Sequence, residues 1–358
     1  MSYRLFLGWL VILAFGPALG ARAQSSPALN WHVVASGNDL WSITYGNGRF
    51  VAVGGSEPPS LLERDTIFTS QDGAIWAQAN CGNVKALTGV GYANGMYFAM
   101  GQQGTLLTSS DALVWTAANP GTGSGLYSFA YGNGLYVITG NNGTVLTSTN
   151  GSDLTAGTAG PNNILFSITY GNGLFVIVAP GGEILTSPDG LNWSPANSGT
   201  TATLVRVAYA KGTFVAVGLS GTVLTSQDGT TWAPSVSGTG NKLYGVSYSG
   251  DRFVAVGQSG TVLTSVDGTN WGPAVPLTLT NDLQGVCYGS GVTAVAGLAG
   301  TIASSTNGTD WIQRTPGTTT QLSSVAFGMG VFAAVGGAGA GVNSASIIMT
   351  SPDGFTWT

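Results

Sequence analysis

The phrase GTVLTSQDGTTW at 221–232 returns as GTVLTSVDGTNW at 260–271, after an interval of 39 residues. Extended to the template L-x-x-V-x-Y-G-N-G-x-F-V-A-V-G-x-x-G-T-V-L-T-S-x-D-G-x-x-W, it recurs with opening leucines at Leu40, Leu87, Leu126, Leu165, Leu204, Leu243, Leu283 and Leu322, which makes eight repeats. The closing aromatic falls at Trp76, Trp115, Trp193, Trp232, Trp271, Trp311 and Trp357, and Leu154 takes its place in the third copy. Closing positions are 39 apart five times, then 40, then 46. A nearly fixed period over residues 24–358 is the mark of one repeat domain and leaves no room for a second.

Within a repeat, LYGVSY and RFVAVG alternate at period two, TVLTS follows, and a fourth short run begins at each Trp. YGNG, GxxG and SxDG stand between these runs and are turn signals. Four strands in about 40 residues without helical periodicity predict an all-β fold, a β-propeller of eight four-stranded blades. The segment ALNWHVVASG at 28–37 resembles GLNWSPANSG at 190–199, while the last repeat stops at Trp357-Thr358. The N-terminal segment is therefore expected to supply the outer strand of the last blade and close the ring, removing an open sheet edge. The other reading is a chain truncated from something longer.

First strands also predict how blades pack. Two and four residues after the opening leucine the side chains are mostly small, such as Ser42 and Thr44 or Gly285 and Cys287. The positions between carry Val, Ile or Phe and then Tyr or Phe, so large side chains of one blade can fill the space over small ones of the next. This makes Cys287 a core residue, distant from Cys81, and no disulfide is expected.

Composition narrows the function classes. With 43% hydrophobic and 7% charged residues, 57 glycines and a net charge of −5, the chain is globular rather than disordered. Ten Lys and Arg scattered along it give no basic footprint, so nucleic acid is not an expected partner. Residues 1–23 carry Arg4, an apolar stretch from Leu5 to Phe15, Pro17 and the small-residue pattern Ala21-Arg22-Ala23. This predicts a signal peptide cleaved before Gln24, and hence a secreted or periplasmic protein. The stretch falls short of the roughly 20 residues that span a bilayer, and no membrane span is expected in the mature chain.

The closing phrase resembles the Asp-box, also called the BNR repeat, of sialidase-type propellers, which sortilin-like receptors and propeller-type photosystem II assembly factors share. Here it reads SQDGAIW at Ser70, SSDALVW at Ser109, SPDGLNW at Ser187, SQDGTTW at Ser226, SVDGTNW at Ser265 and SPDGFTW at Ser351, with weaker copies STNGSDL and STNGTDW. Each is one residue shorter between Asp and Trp than the usual box. The resemblance implies a folding device at the turn between third and fourth strands, which agrees with the residues. An Asp carboxylate accepts turn amides, Gly takes a left-handed conformation, and Trp buries against the blade.

Sialidases of that kind also use an arginine triad with a Tyr and Glu pair. The mature chain has Arg49, Arg64, Arg206, Arg252 and Arg314, whose repeat positions do not converge, so that activity is not implied. His32 is the single histidine and falls on the predicted closing strand, which leaves a Ser-His-Asp triad without its geometry. One His and two separated Cys cannot furnish a zinc site, and calcium loops and phosphate-binding glycine motifs are absent. No cofactor is implied.

Two candidate binding regions follow from the repeat. The connections between second and third strands are long in the first and eighth blades, GGSEPPSLLERDT and GGAGAGVNSAS, and ring closure would set them side by side, gathering Glu57, Glu63, Arg64 and Asp65. A second set stands one residue after the opening leucine: Trp41, Tyr127, Phe166 and Tyr244, with Gln284 and Arg206 nearby. These aromatics either stack on sugar rings at the channel mouth or fill the space between blades. The reading is a secreted, monomeric, non-catalytic propeller that binds extracellular glycan or protein. The alternative is a glycoside hydrolase or polysaccharide lyase with Glu57, Glu63 or Asp65 as acid and base, which requires carboxylates roughly 5 to 10 Å apart.

Overall fold

The computed structural model describes residues 39–55, 66–82, 85–160, 163–273, 279–315, 317–337 and 346–358. The predicted signal peptide, the closing strand with His32, and the loop bearing Glu57, Glu63, Arg64 and Asp65 lie outside the described residues.

Eight antiparallel sheets follow one another along the chain, each an up-and-down meander, and the fold is an eight-bladed propeller. The first strands are Asp39–Gly46 in blade 1, Leu87–Ala93 in blade 2, Leu126–Gly132 in blade 3, Ser167–Gly171 in blade 4, Leu204–Ala210 in blade 5, Leu243–Ser249 in blade 6, Leu283–Gly289 in blade 7 and Gln321–Gly328 in blade 8. Each packs on the next, and that of blade 8 packs on that of blade 1, so the first strands circle a common axis. Seven sheets have four strands among the described residues and blade 8 has three. Beyond its third strand, Ser346–Ser351, the amide and carbonyl of Thr358 pair with those of Thr350.

The hydrophobic cores lie between blades rather than within them. Leu87 and Val90 of blade 2 join Val51, Val53 and Ile67 of blade 1 in one buried cluster. Blade 8 contributes Ala326, Ala333 and Val335 to a cluster with Leu40, Ile43 and Phe50 of blade 1. The small side of each first strand faces the large side of its successor, as the sequence pattern predicts. Serine adds a polar tie there: Val90 N donates to Ser42 Oγ at 3.3 Å, Ile168 N to Ser128 Oγ at 3.3 Å, and Val207 N to Ser167 Oγ at 3.4 Å. Cys287 is buried between blades 7 and 8, whereas Cys81 packs on the cluster between blades 1 and 2, and the two form no disulfide.

An aromatic stitch recurs at these junctions. Tyr45, Tyr92, Tyr170, Tyr209 and Phe327 stack across the hairpin on Phe50, Tyr97, Phe175, Phe214 and Phe332, with centroids 4.5 to 4.9 Å apart. The first-strand ring also lies flat on a glycine of the preceding blade: Tyr92 on Gly46, Tyr170 on Gly132, Tyr209 on Gly171. Any side chain there would occupy the ring's place.

The third-to-fourth strand turn has one geometry in every blade. In blade 5, Asp228 Oδ1 accepts the amides of Thr230 and Thr231 at 2.8 and 2.7 Å, Ser226 Oγ accepts that of Gly229 at 2.8 Å, and Trp232 Nε1 donates to the Gly229 carbonyl at 2.9 Å. Gly229 has φ 78°, and its neighbours are Leu174 and Val176 of blade 4, so the turn seats itself on the preceding blade. The copies with Asn are not weakened, contrary to the sequence expectation. Asn150 Oδ1 and Asn307 Oδ1 accept the same two amides, and their Nδ2 atoms donate to Asp153 and Asp310 at 2.7 Å. In blades 4 and 6 the pair is reversed, with Asn192 and Asn270 donating to Asp189 and Asp267 at 2.8 Å. An amide and a carboxylate three residues apart serve in either order, since one oxygen must accept the turn amides and one N–H must meet one oxygen.

Candidate functional site

The innermost strands do more than pack. In blade 1, Leu40 pairs with Gly54 and Ser42 with Val53, so Trp41 is the extra residue of a β-bulge. The same irregularity recurs in blades 2, 3, 5, 6, 7 and 8, always at the residue after the opening leucine. A bulge breaks the alternation of the strand and re-aims its extra side chain, and bulges gather beside binding sites for that reason. Here it recurs at one end of the central channel, the end reached by the fourth-to-first and second-to-third strand connections.

Around this mouth the bulge position reads Trp41, Thr88, Tyr127, Phe166, Val205, Tyr244, Gln284 and Ser323, with Phe166 at the corresponding place in blade 4. Its neighbours one before and two after are Leu and, with the exception of Phe129, Val or Ile in every copy. The scaffold repeats and the mouth does not.

Trp41, Tyr127 and Tyr244 are half-buried, whereas Phe166, Gln284 and Arg206 are buried. Arg206 occupies the place held by Ser42 or Ser167 in other blades, two residues after the opening leucine. Burial draws its guanidinium down to about 10, which still leaves it charged at neutral pH. Burial likewise raises the Tyr127 phenol above its ordinary value, an effect opposed by a hydrogen bond with Asn141. Arg49 and Arg252 begin second strands at the opposite end of the disc, and the Arg314 guanidinium lies 4.5 Å over the Phe355 ring, so these arginines do not converge with Arg206.

Asp282, which the repeat template did not single out, is drawn into the mouth by tertiary contacts. Its Oδ2 accepts the Tyr244 hydroxyl at 3.2 Å and its Oδ1 accepts the Ser259 amide at 2.9 Å. Ser259 has φ 54° in the second-to-third strand turn of blade 6, so the carboxylate ties that turn to a bulge tyrosine across the blade 6 and 7 junction. Desolvation, then the nearby carboxylate, pushes the Tyr244 phenol up to about 12. The one signal in the sequence is that an acid precedes the opening leucine only at Asp39 and Asp282.

No protein-family model matches the sequence, and no curated protein does. Solved structures share the fold. YCF48 bound to D1 peptide aligns with a TM-score of 0.55 and 19% identity over 71% of this chain and 89% of its own. The C-terminal WD40 domain of Sif2 gives 0.64 and 9% over 87% and 95%. A catalytically inactive virginiamycin B lyase from Staphylococcus aureus, crystallised with quinupristin, gives 0.58 and 9% over 88% and 96%. At these identities the likeness is one of fold.

Proposed function

We propose that the protein is a secreted, non-catalytic binding module of the Asp-box type, which takes an extracellular glycan or protein at the bulged mouth of its channel. The carrying observation is the contrast between eight near-identical scaffolds and a bulge position filled by seven residue types. A packing position would repeat, as the leucine beside it does, whereas a recognition surface on a symmetric disc must break the symmetry. The tripartite N-terminal segment supports export, and a peptide-bound propeller among the structural neighbours supports a binding role for such a disc.

The test is equilibrium binding of the purified mature chain to a glycan array and to proteins of the cell exterior, repeated with Trp41→Ala, Tyr127→Ala and Tyr244→Ala. Binding that falls in these variants while their melting temperatures hold supports the reading. Turnover of any glycan by the wild-type chain replaces it with the hydrolase or lyase reading.

A further inference from the structure

The mouth is chemically lopsided. Through blades 2 to 5 the residues on either side of the opening leucine are Ala86 and Thr88, Gly125 and Tyr127, Ile164 and Phe166, Thr203 and Val205, without a charge among them. From blade 6 round to blade 1 they turn polar. Tyr244 stands at one end of this arc and Trp41 at the other, and Asp282, Gln321 and Asp39 lie between them, partly open, above the buried Gln284 and Ser323. Asp282 is oriented by Tyr244 and Ser259, Gln321 Nε2 donates to Ser323 Oγ at 3.4 Å, and Asp39 lies against Gly337 of blade 8.

We propose that this arc is a saccharide subsite for a neutral glycan, an inference that rests on the mouth being the binding site. Carboxylates and primary amides on fixed backbones accept and donate to adjacent sugar hydroxyls, and each carboxylate oxygen has more than one lone pair to offer. An indole and a phenol at the ends supply flat apolar surface for pyranose faces. Two carboxylates against the single flanking Lys242 disfavour uronates, sialates, sulfates and phosphates. A peptide is the poorer fit, because protein interfaces are anchored by exposed apolar side chains. Among the described residues most exposed large apolar side chains, such as Ile75, Val114, Leu191, Met329 and Phe355, belong to the turns at the other end of the disc. On the face of the mouth stand Ile164, before the first strand of blade 4, and Val236, just after the outer strand of blade 5, and neither lies in this arc.

The experiment titrates the mature chain with soluble neutral polysaccharides (a β-1,3-glucan, a starch-type α-glucan and a galactomannan) and with alginate and polygalacturonate, by calorimetry or affinity electrophoresis. At least one neutral polymer is expected to bind, with Asp282→Ala, Tyr244→Ala and Trp41→Ala each weakening it by about tenfold or more. Tyr244→Phe, which keeps the ring and releases the carboxylate, is expected to weaken it less, and Asp228→Asn at the far end not at all. Preference for the acidic polymers, or neutral binding that ignores the arc variants and is lost in Tyr127→Ala, overturns the saccharide arc while the mouth stands. A protein ligand lost in the mouth variants, with every glycan inert, does the same. Binding of any ligand that no mouth variant disturbs overturns both readings.

Discussion

The phenol ring of Tyr45, in the first blade, lies on Gly328, in the last, and a methyl group on that glycine would stand 2.1 Å from the ring's Cγ. Residues 283 positions apart (328 less 45) are thus packed as closely as the neighbours Gly132 and Tyr170. The junction that closes the ring is built like the others.

Gly328→Ala should therefore cost as much as Gly132→Ala, about 1 to 3 kcal/mol of overpacking, and Tyr45→Ala should recover part of the loss in the first case only. Denaturant midpoints of the four variants decide the matter. A Gly328→Ala chain as stable as wild type, beside a destabilised Gly132→Ala, would mean that blades 1 and 8 do not meet.

Trp232 is 8% exposed, donates to Gly229, and packs on the ring of Phe214 with centroids 6.3 Å apart. Trp232→Ala should cost about 3 to 5 kcal/mol. Trp232→Leu should cost less, because blade 3 already folds with Leu154 at this place. Chemical denaturation of the two variants tests the order.

The amide and carboxylate pairs of the turns predict a rescue. Asp267→Asn replaces the charge-assisted hydrogen bond that Asn270 donates at 2.8 Å by a neutral one, and should lower the melting temperature. Adding Asn270→Asp recreates the order seen at Asn307 and Asp310 and should restore it. A double variant less stable than the single one would show that the two orders are not equivalent.

Acid should unfold the protein through these same turns. Backbone amides hold the carboxyls of Asp228 and Asp267 well below the usual carboxylate range, those of Thr231 and Asn270 contributing most. Asp111 is lowered by the amides of Val114 and Leu113. Such groups bind protons more weakly folded than unfolded, so their stabilisation is complete above the unfolded value of about 4 and is lost as the pH falls below it. Melting temperature should be flat from pH 7 to 5 and drop below 4. Asp228→Asn, which keeps an acceptor but cannot ionise, should make the drop shallower, and an unchanged slope would exclude the turn as its source.

Burial pushes the Cys287 thiol far above its ordinary range, while Cys81 is half-buried. A maleimide at pH 8 should modify the native chain at Cys81 alone and reach Cys287 in denaturant. Mass spectrometry of the two digests gives the answer, and prompt native labelling of Cys287 would contradict its place between blades 7 and 8.

Much of this architecture is local, which is why the repeat alone carries it. Asn47-Gly48 and its counterparts in every blade but the sixth close two-residue hairpins because both residues take positive φ, and the alternating runs on either side can then pair in one register. The turn built by Ser226, Asp228 and Gly229 lies within four residues, so its chemistry shows in any one copy. Counting the copies yields the number of blades, and small against large side chains on the first strand tell how blades meet.

What the tertiary structure decided is the mouth. A period-two pattern cannot mark the residue at which pairing slips, because the slip is a relation between two strands, so the sequence leaves Trp41 and Tyr244 open between the channel mouth and the space between blades until Leu40 and Leu243 are seen paired with Gly54 and Gly257. Asp282 is 38 residues from Tyr244 and 23 from Ser259. It sits in a connection where the repeat has no rule, and the curvature of the closed ring brings it to both.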